Sequence, residues 1–166
     1  MIFRTPTVAD GSGIWRIVQE SGVLDLNSAY LYLLLSKDFA DTCIVAEQDK
    51  QLVGFATGYR PPATPEVIFL WQIGIVAEQR GQGLGSRLLA KFLSNPGAKG
   101  AQFLETTISP SNTASKKLFL GLTRDLATEC QVSSCFTEQD FPNGHEAEEL
   151  YRIGPLNQDS IHKLSV

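Results

Sequence analysis

One stretch limits the folding options of this chain more than any other. Val67 to Val76 is a near-continuous apolar run, and a glycine-rich segment, Arg80-Gly81-Gln82-Gly83-Leu84-Gly85-Ser86, follows closely. Leu88, Leu89, Phe92 and Leu93 then recur at helical spacing. An apolar run bounded by such a turn suits a central strand buried on both faces. Phe103 to Ile108 reads as the next strand. The centre of the chain is therefore a strand–turn–helix–strand unit, and the fold class is mixed α/β.

The flanks extend this reading. Ile2 to Thr5 is a short strand, and Thr7 to Asp10 has capping-box spacing ahead of a helix that Gly22 ends. Asp25-Leu26-Asn27-Ser28 offers N-caps for a second helix through Leu35. Cys43 to Glu47 and Leu52 to Thr57 are strands joined by a short hairpin loop. Asn112 caps a helix bearing Ala114, Leu118 and Phe119, and Cys130 to Phe136 and Glu148 to Ile153 are the last strands. At 166 residues, a single domain over residues 1–155 is expected, with 156–166 a polar, poorly ordered tail.

Composition removes several function classes. The net charge of −4 disfavours binding to nucleic acid or anionic membranes, which would repel it. No apolar run approaches the ~20 residues of a membrane span, and no signal peptide is expected from the start Met1 to Pro6. The three cysteines are scattered without a CxxC pair and there are only two histidines, so no metal site is expected. A reduced, cytoplasmic setting follows as the simplest expectation.

The chemistry is carried by the glycine turn. Glycines let the backbone approach an anion closely, and the free N–H groups and dipole of a helix N-terminus favour phosphate. The dipole contributes only ~0.3–1 kcal/mol, so several aimed N–H bonds must supply most of the affinity. No GxxxxGK[ST] run is present. The dinucleotide fingerprint GxGxxG fits at Gly81 and Gly83 but fails at Ser86, although Glu105 falls where a ribose-binding acid would.

The spacing Arg80-x-x-Gly83-x-Gly85 resembles the acyl-CoA pyrophosphate signature of the GNAT family of N-acetyltransferases, and the order of elements matches over nearly the whole chain. The resemblance implies a single-domain fold whose mixed sheet has fourth and fifth strands splayed apart. It implies acetyl-CoA as co-substrate, with Ile73 and Ile75 pairing with pantetheine. The turn from Arg80 through Gly81, Gln82, Gly83, Leu84, Gly85 and Ser86 would wrap the pyrophosphate, and Asn112 would contact the pantetheine arm. Many members carry a tyrosine where this chain has Phe119. That tyrosine protonates the departing thiolate, so the general acid is left unassigned here.

Further stretches are similar to one branch of the family, the L-2,4-diaminobutyrate acetyltransferases of ectoine biosynthesis. They are Gly22 to Tyr30, Tyr59 to Pro62, Phe69 to Gln72, Phe103 to Thr107, Gly144 to Glu146 and Tyr151 to Pro155. This likeness implies transfer to the γ-amine of diaminobutyrate by direct attack on the thioester, and a homodimer. Asp25, Tyr30 and Trp71 become candidates for holding the acceptor, and Glu105, His145 and Glu146 for proton transfer. Each also has a plain reading: Asp25 as a helix cap, Tyr30 and Trp71 as core, and Glu105, His145 and Glu146 as surface. Glu148 and Glu149 are expected on a solvated face. Acetylation of another small amine or a protein N-terminus, acyl-CoA sensing without turnover, and dinucleotide chemistry stay open as alternatives.

Overall fold

Local signals set the element boundaries. The computed structural model describes residues 1–142 and 144–165. Strand β1 (Ile2–Arg4) leads into a single helical turn whose capping box joins Thr7 and Asp10. Helix α1 (Gly11–Ser21) ends at Gly22, which takes the left-handed conformation. Ser28 caps helix α2 (Ala29–Asp38) by accepting from the Tyr30 amide. Strands β2 (Cys43–Gln48) and β3 (Gln51–Tyr59) are joined by Asp49 and Lys50, both at positive φ. Two consecutive left-handed residues match the twist of a tight hairpin.

Strand β4 (Val67–Ile75), helix α3 (Leu84–Leu93) and strand β5 (Phe103–Ile108) form the central crossover unit. Helix α4 (Thr113–Asp125) follows, capped by Asn112 Oδ1 accepting from the Ser115 amide. Strands β6 (Glu129–Phe136) and β7 (Glu148–Gly154) and helix α5 (Gln158–Ser165) complete the chain.

The strands form one sheet in the order β1-β2-β3-β4-β5-β7-β6. Among the described residues only β4 and β5 pair in parallel, as a helical crossover requires. On one face α3, α4 and α5 bury Ile68, Leu70, Leu88, Phe92, Phe119 and Ile153. On the other, α1 and α2 bury Ile14, Val18, Tyr32, Val45 and Phe55. Each such side chain contributes ~1.5–3 kcal/mol through burial.

Two expectations change. The segment after Pro155 is not a loose tail: the Leu156 amide donates to Gln102 O, and α5 packs on α3 with Ile161 only 3% exposed. Its few apolar residues are enough because they meet an existing core. Strand β4 is also not buried on both faces throughout. Phe69, Trp71, Ile73 and Ile75 are only half-buried, because the sheet opens beside them.

Candidate active site

β4 and β5 pair only at Val67↔Phe103, Ile68↔Leu104 and Phe69↔Glu105, then part. Beyond that point the backbone edge of β4 faces a cleft instead of a neighbour. A second irregularity lies on its other side. Thr57 opposes Gln72 while Gly58 opposes Leu70, so Trp71 is the extra residue of a bulge. Gly58 has no room for a side chain here, since a Cβ would lie 2.2 Å from Phe69 O. The bulge shifts the alternation of β4. Ile68 and Leu70 face the α3 side before it and Ile73 and Ile75 face that side after it, while Trp71 and Gln72 both meet Tyr32 on the α2 side.

The cleft holds a cavity of about 310 Å³. Its walls are Leu70 to Ile73 of β4 and Thr106 to Ser109 at the end of β5, with Phe119 and Asn112 from α4. It shares Leu24, Ile73, Asn112 and Ser115 with a smaller cavity that reaches Ile75 and Arg80. That path ends at the glycine turn. Gly81 and Gly83 have φ of 72° and 78° with open space around them, so conformation, not packing, calls for glycine. Gly83 is the N-cap of α3 and gives it no side-chain cap, which leaves first-turn N–H groups open to an anion. Leu84, 2% exposed, anchors the turn in the core. Ser86 is exposed, Arg80 Nε donates to Ile75 O, and Gln82 Nε2 donates to Glu78 O.

The other end of the cleft is acidic. Asp25, from the loop between α1 and α2, meets His145 and Glu146, from the loop between β6 and β7. His145 Nε2 lies 3.0 Å from Asp25 Oδ2 and Nδ1 lies 2.6 Å from the Glu146 carbonyl, while its ring stacks on Phe141. Both nitrogens face oxygens that only accept, which favours the doubly protonated ring. The bond to the Glu146 carbonyl, then that to Asp25, raises the His145 pKa. Ser111 Oγ donates to Glu146.

A second cavity, of about 620 Å³, adjoins the first at Asp25, Trp71, Thr107 and Glu148 and is mainly apolar, with Phe69, Phe136 and Leu150 among its walls. Glu105 faces it and accepts from Arg152, its cross-strand partner on β7.

A family model described as the acetyltransferase (GNAT) family matches residues 13–122. This chain belongs to the GNAT family. Within it, the chain is 47% identical over 153 residues to the L-2,4-diaminobutyric acid acetyltransferase of Halalkalibacterium halodurans, covering 92% of this chain and 80% of that one. It is 47% identical to the enzyme of the same name from Shouchella clausii, covering 91% and 85%. Among solved structures it resembles the diaminobutyrate acetyltransferase EctA of Paenibacillus lautus, in complex with its substrate L-2,4-diaminobutyric acid and coenzyme A. That match has TM-score 0.91, 39% identity and coverage of 95% and 96%.

In this GNAT fold the residues singled out from the sequence fall into groups. Ile73, Ile75, Arg80 and Asn112 line one small cavity beside the Gly81–Ser86 turn. Asp25, Trp71, His145 and Glu146 share the main cleft, whereas Glu105 lies beyond Trp71 in the apolar cavity. Tyr30 stands apart at 66% exposure. It is two residues from fully buried Tyr32, and positions i and i+2 of a helix point to nearly opposite sides. Glu148 was not foreseen, yet it lines both cavities. Strand alternation carries the missing signal: Glu149 shares a face with buried Tyr151 and Ile153 and reaches Lys116 of α4 at 3.6 Å, so Glu148 points the other way, to the cleft.

Proposed function

We propose that this chain transfers the acetyl group of acetyl-CoA to the γ-amine of L-2,4-diaminobutyrate, giving N-γ-acetyl-diaminobutyrate in ectoine biosynthesis. One observation carries the reading. A continuous cleft runs from uncapped main-chain donors at the start of α3 to a mouth bearing Asp25, Glu146 and Glu148, so an anionic thioester carrier and a cationic acceptor fit opposite ends. The relatives named for this reaction support the choice of acceptor.

On this reading the Arg80–Ser86 turn takes the pyrophosphate, and the open edge of β4 at Ile73 and Ile75 pairs with the pantetheine amides. Asn112 spends Oδ1 on capping α4, which leaves Nδ2 to donate to the arm. Asp25 and Glu148 hold the ammonium that does not react, and Trp71 lines the acceptor site between the two cavities. Glu146 adds negative potential beside Trp71, while the charge of Glu105 is spent on Arg152.

The reacting amine has a pKa near ~10.4, so freeing its lone pair at neutral pH costs ~4–5 kcal/mol. Loss of the His145 Nε2 proton ends the contact with Asp25 and frees that nitrogen to accept the proton of the amine. The nitrogen attacks the thioester carbonyl, and a β4 main-chain N–H beside the bulge stabilises the oxyanion. The C–S bond then breaks, the thiolate leaves, and the nitrogen gives up its second proton to solvent. Phe119, 1% exposed in the cleft wall, offers no proton, but a thiol of pKa ~8.5 leaves as the anion without one. Val23, Leu26 and Tyr30 expose apolar surface side by side in sequence, which supports a homodimer covering this edge of the site.

NMR of the product tests the proposal. A new amide proton coupled to the C4 methylene of diaminobutyrate is expected; acetylation at the α-nitrogen would contradict the assigned regiochemistry.

A further inference from the structure

The mechanism leaves unused a buried polar pair directly behind the acceptor site. Tyr32 on α2 is 0% exposed and Gln72 on β4 is 6% exposed. Tyr32 Oη lies 2.9 Å from Gln72 Oε1, and Gln72 Nε2 lies 3.0 Å from the main-chain oxygen of Asp25. The directions are fixed by chemistry. A carbonyl only accepts, so the NH₂ of Gln72 must face Asp25 O, its oxygen must face Tyr32, and the hydroxyl must be the donor. The bulge at Trp71 makes this possible by placing Gln72 on the α2 side beside Trp71.

The loop that this chain of bonds reaches is otherwise held by Leu24, packed on the α1–α2 core, and by His145 on the Asp25 carboxylate. Val23 and Leu26 are 81% and 55% exposed, and the Asp25 side chain is 71% exposed. Trp15 Nε1 holds Asn27 O at 3.1 Å, and Asn27 Nδ2 makes a second bond to Asp25 O at 3.0 Å. Asn27 belongs to the same loop, so it cannot fix that loop to the sheet. Gln72 supplies the hydrogen bond from β4 to the main chain of Asp25.

We infer that Tyr32 and Gln72 are positioning residues that set the Asp25 carboxylate at the mouth of the cleft, acting on the amine acceptor and not on the acyl donor. This rests on the proposed role of Asp25 toward an ammonium group. Trp71 belongs to the same assembly, since its ring stacks on Tyr32 with centroids 6.2 Å apart.

The test uses Tyr32→Phe, which keeps the packing and removes only the hydroxyl, and Gln72→Met, which removes the donor at similar length. Gln72→Met should raise KM for diaminobutyrate about tenfold and Tyr32→Phe about threefold, with KM for acetyl-CoA and kcat within about twofold of wild type. In an Asp25→Asn background, Gln72→Met should add less than about twofold, because its route of action is gone. Equal effects in both backgrounds, or an equal rise in KM for both substrates, would overturn the inference. Hydrogen exchange in the free protein decides it independently of the acceptor. Amides at 23–27 should exchange faster in both variants and those at 81–86 should not, and unchanged exchange at 23–27 would overturn it. A wild-type protein that ignores diaminobutyrate would instead count against the acceptor assignment alone.

Discussion

His145 shows how one side chain links charge to turnover. Its ring donates to the Glu146 carbonyl and to Asp25, which lifts its pKa above the usual 6.5. The sign follows from linkage. The contact with Asp25 is fully present below the unfolded pKa and is lost as pH rises through the folded one. A base must be neutral to act, so activity should grow through the same window. The acid limb of the kcat profile is expected above pH 6.5, and His145→Gln should remove that limb and lower kcat about 10²-fold. A limb unmoved in the variant would take His145 out of the role. At this scale the sequence was legible where a residue type is rare and ambiguous where it is not. His145 and Trp71 could be picked out, but Glu148 and Glu149 look alike until the face of β7 that carries buried Tyr151 and Ile153 separates them.

At the scale of elements, strands and helices followed from apolar spacing and caps, because those signals are local. The Thr7–Asp10 capping box, the Gly22 stop and the Asn112 cap all lie where the sequence places them. The bulge in β4 was not legible, since it depends on how Gly58 and Thr57 align with a partner strand. It matters most for function, because it brings Trp71 and Gln72 to one face. The glycine turn combines both kinds of information. Its composition marks it in the sequence, and its positive φ at Gly83 shows why glycine is required. Gly83→Val puts a β-branched residue at φ 78° with no room problem, so the strain stays local to the turn. Affinity for acetyl-CoA should fall at least about tenfold while the melting temperature drops by only a few degrees. Near-normal affinity would refute the placement of the pyrophosphate.

Across the whole molecule, the ends of the chain are tied in. Arg4 on β1 bonds both Asp10 and Glu47, joining the first strand, the first helical turn and β2. The hydrogen bond from Arg4 lowers the Asp10 pKa from 3.8 to about 2. Its stabilisation is therefore present above pH ~4 and lost as pH falls through ~2. Asp10→Asn should cost about 1–2 kcal/mol at pH 7, and the difference from wild type should vanish near pH 2 in denaturant titrations. The polar composition of the other end points to a loose tail, whereas α5 owes its order to a core built by α3 that no local pattern reveals. The acceptor end of the cleft is likewise assembled from distant segments, with Asp25 and His145 meeting only in three dimensions.

Release of free thiol from acetyl-CoA in the presence of single amines puts the central claim to its most direct trial. Rapid release is expected with L-2,4-diaminobutyrate and little with ornithine or lysine, whose longer side chains move the reacting nitrogen past the thioester. Equal release with all three, or none with diaminobutyrate despite tight coenzyme binding, would contradict it.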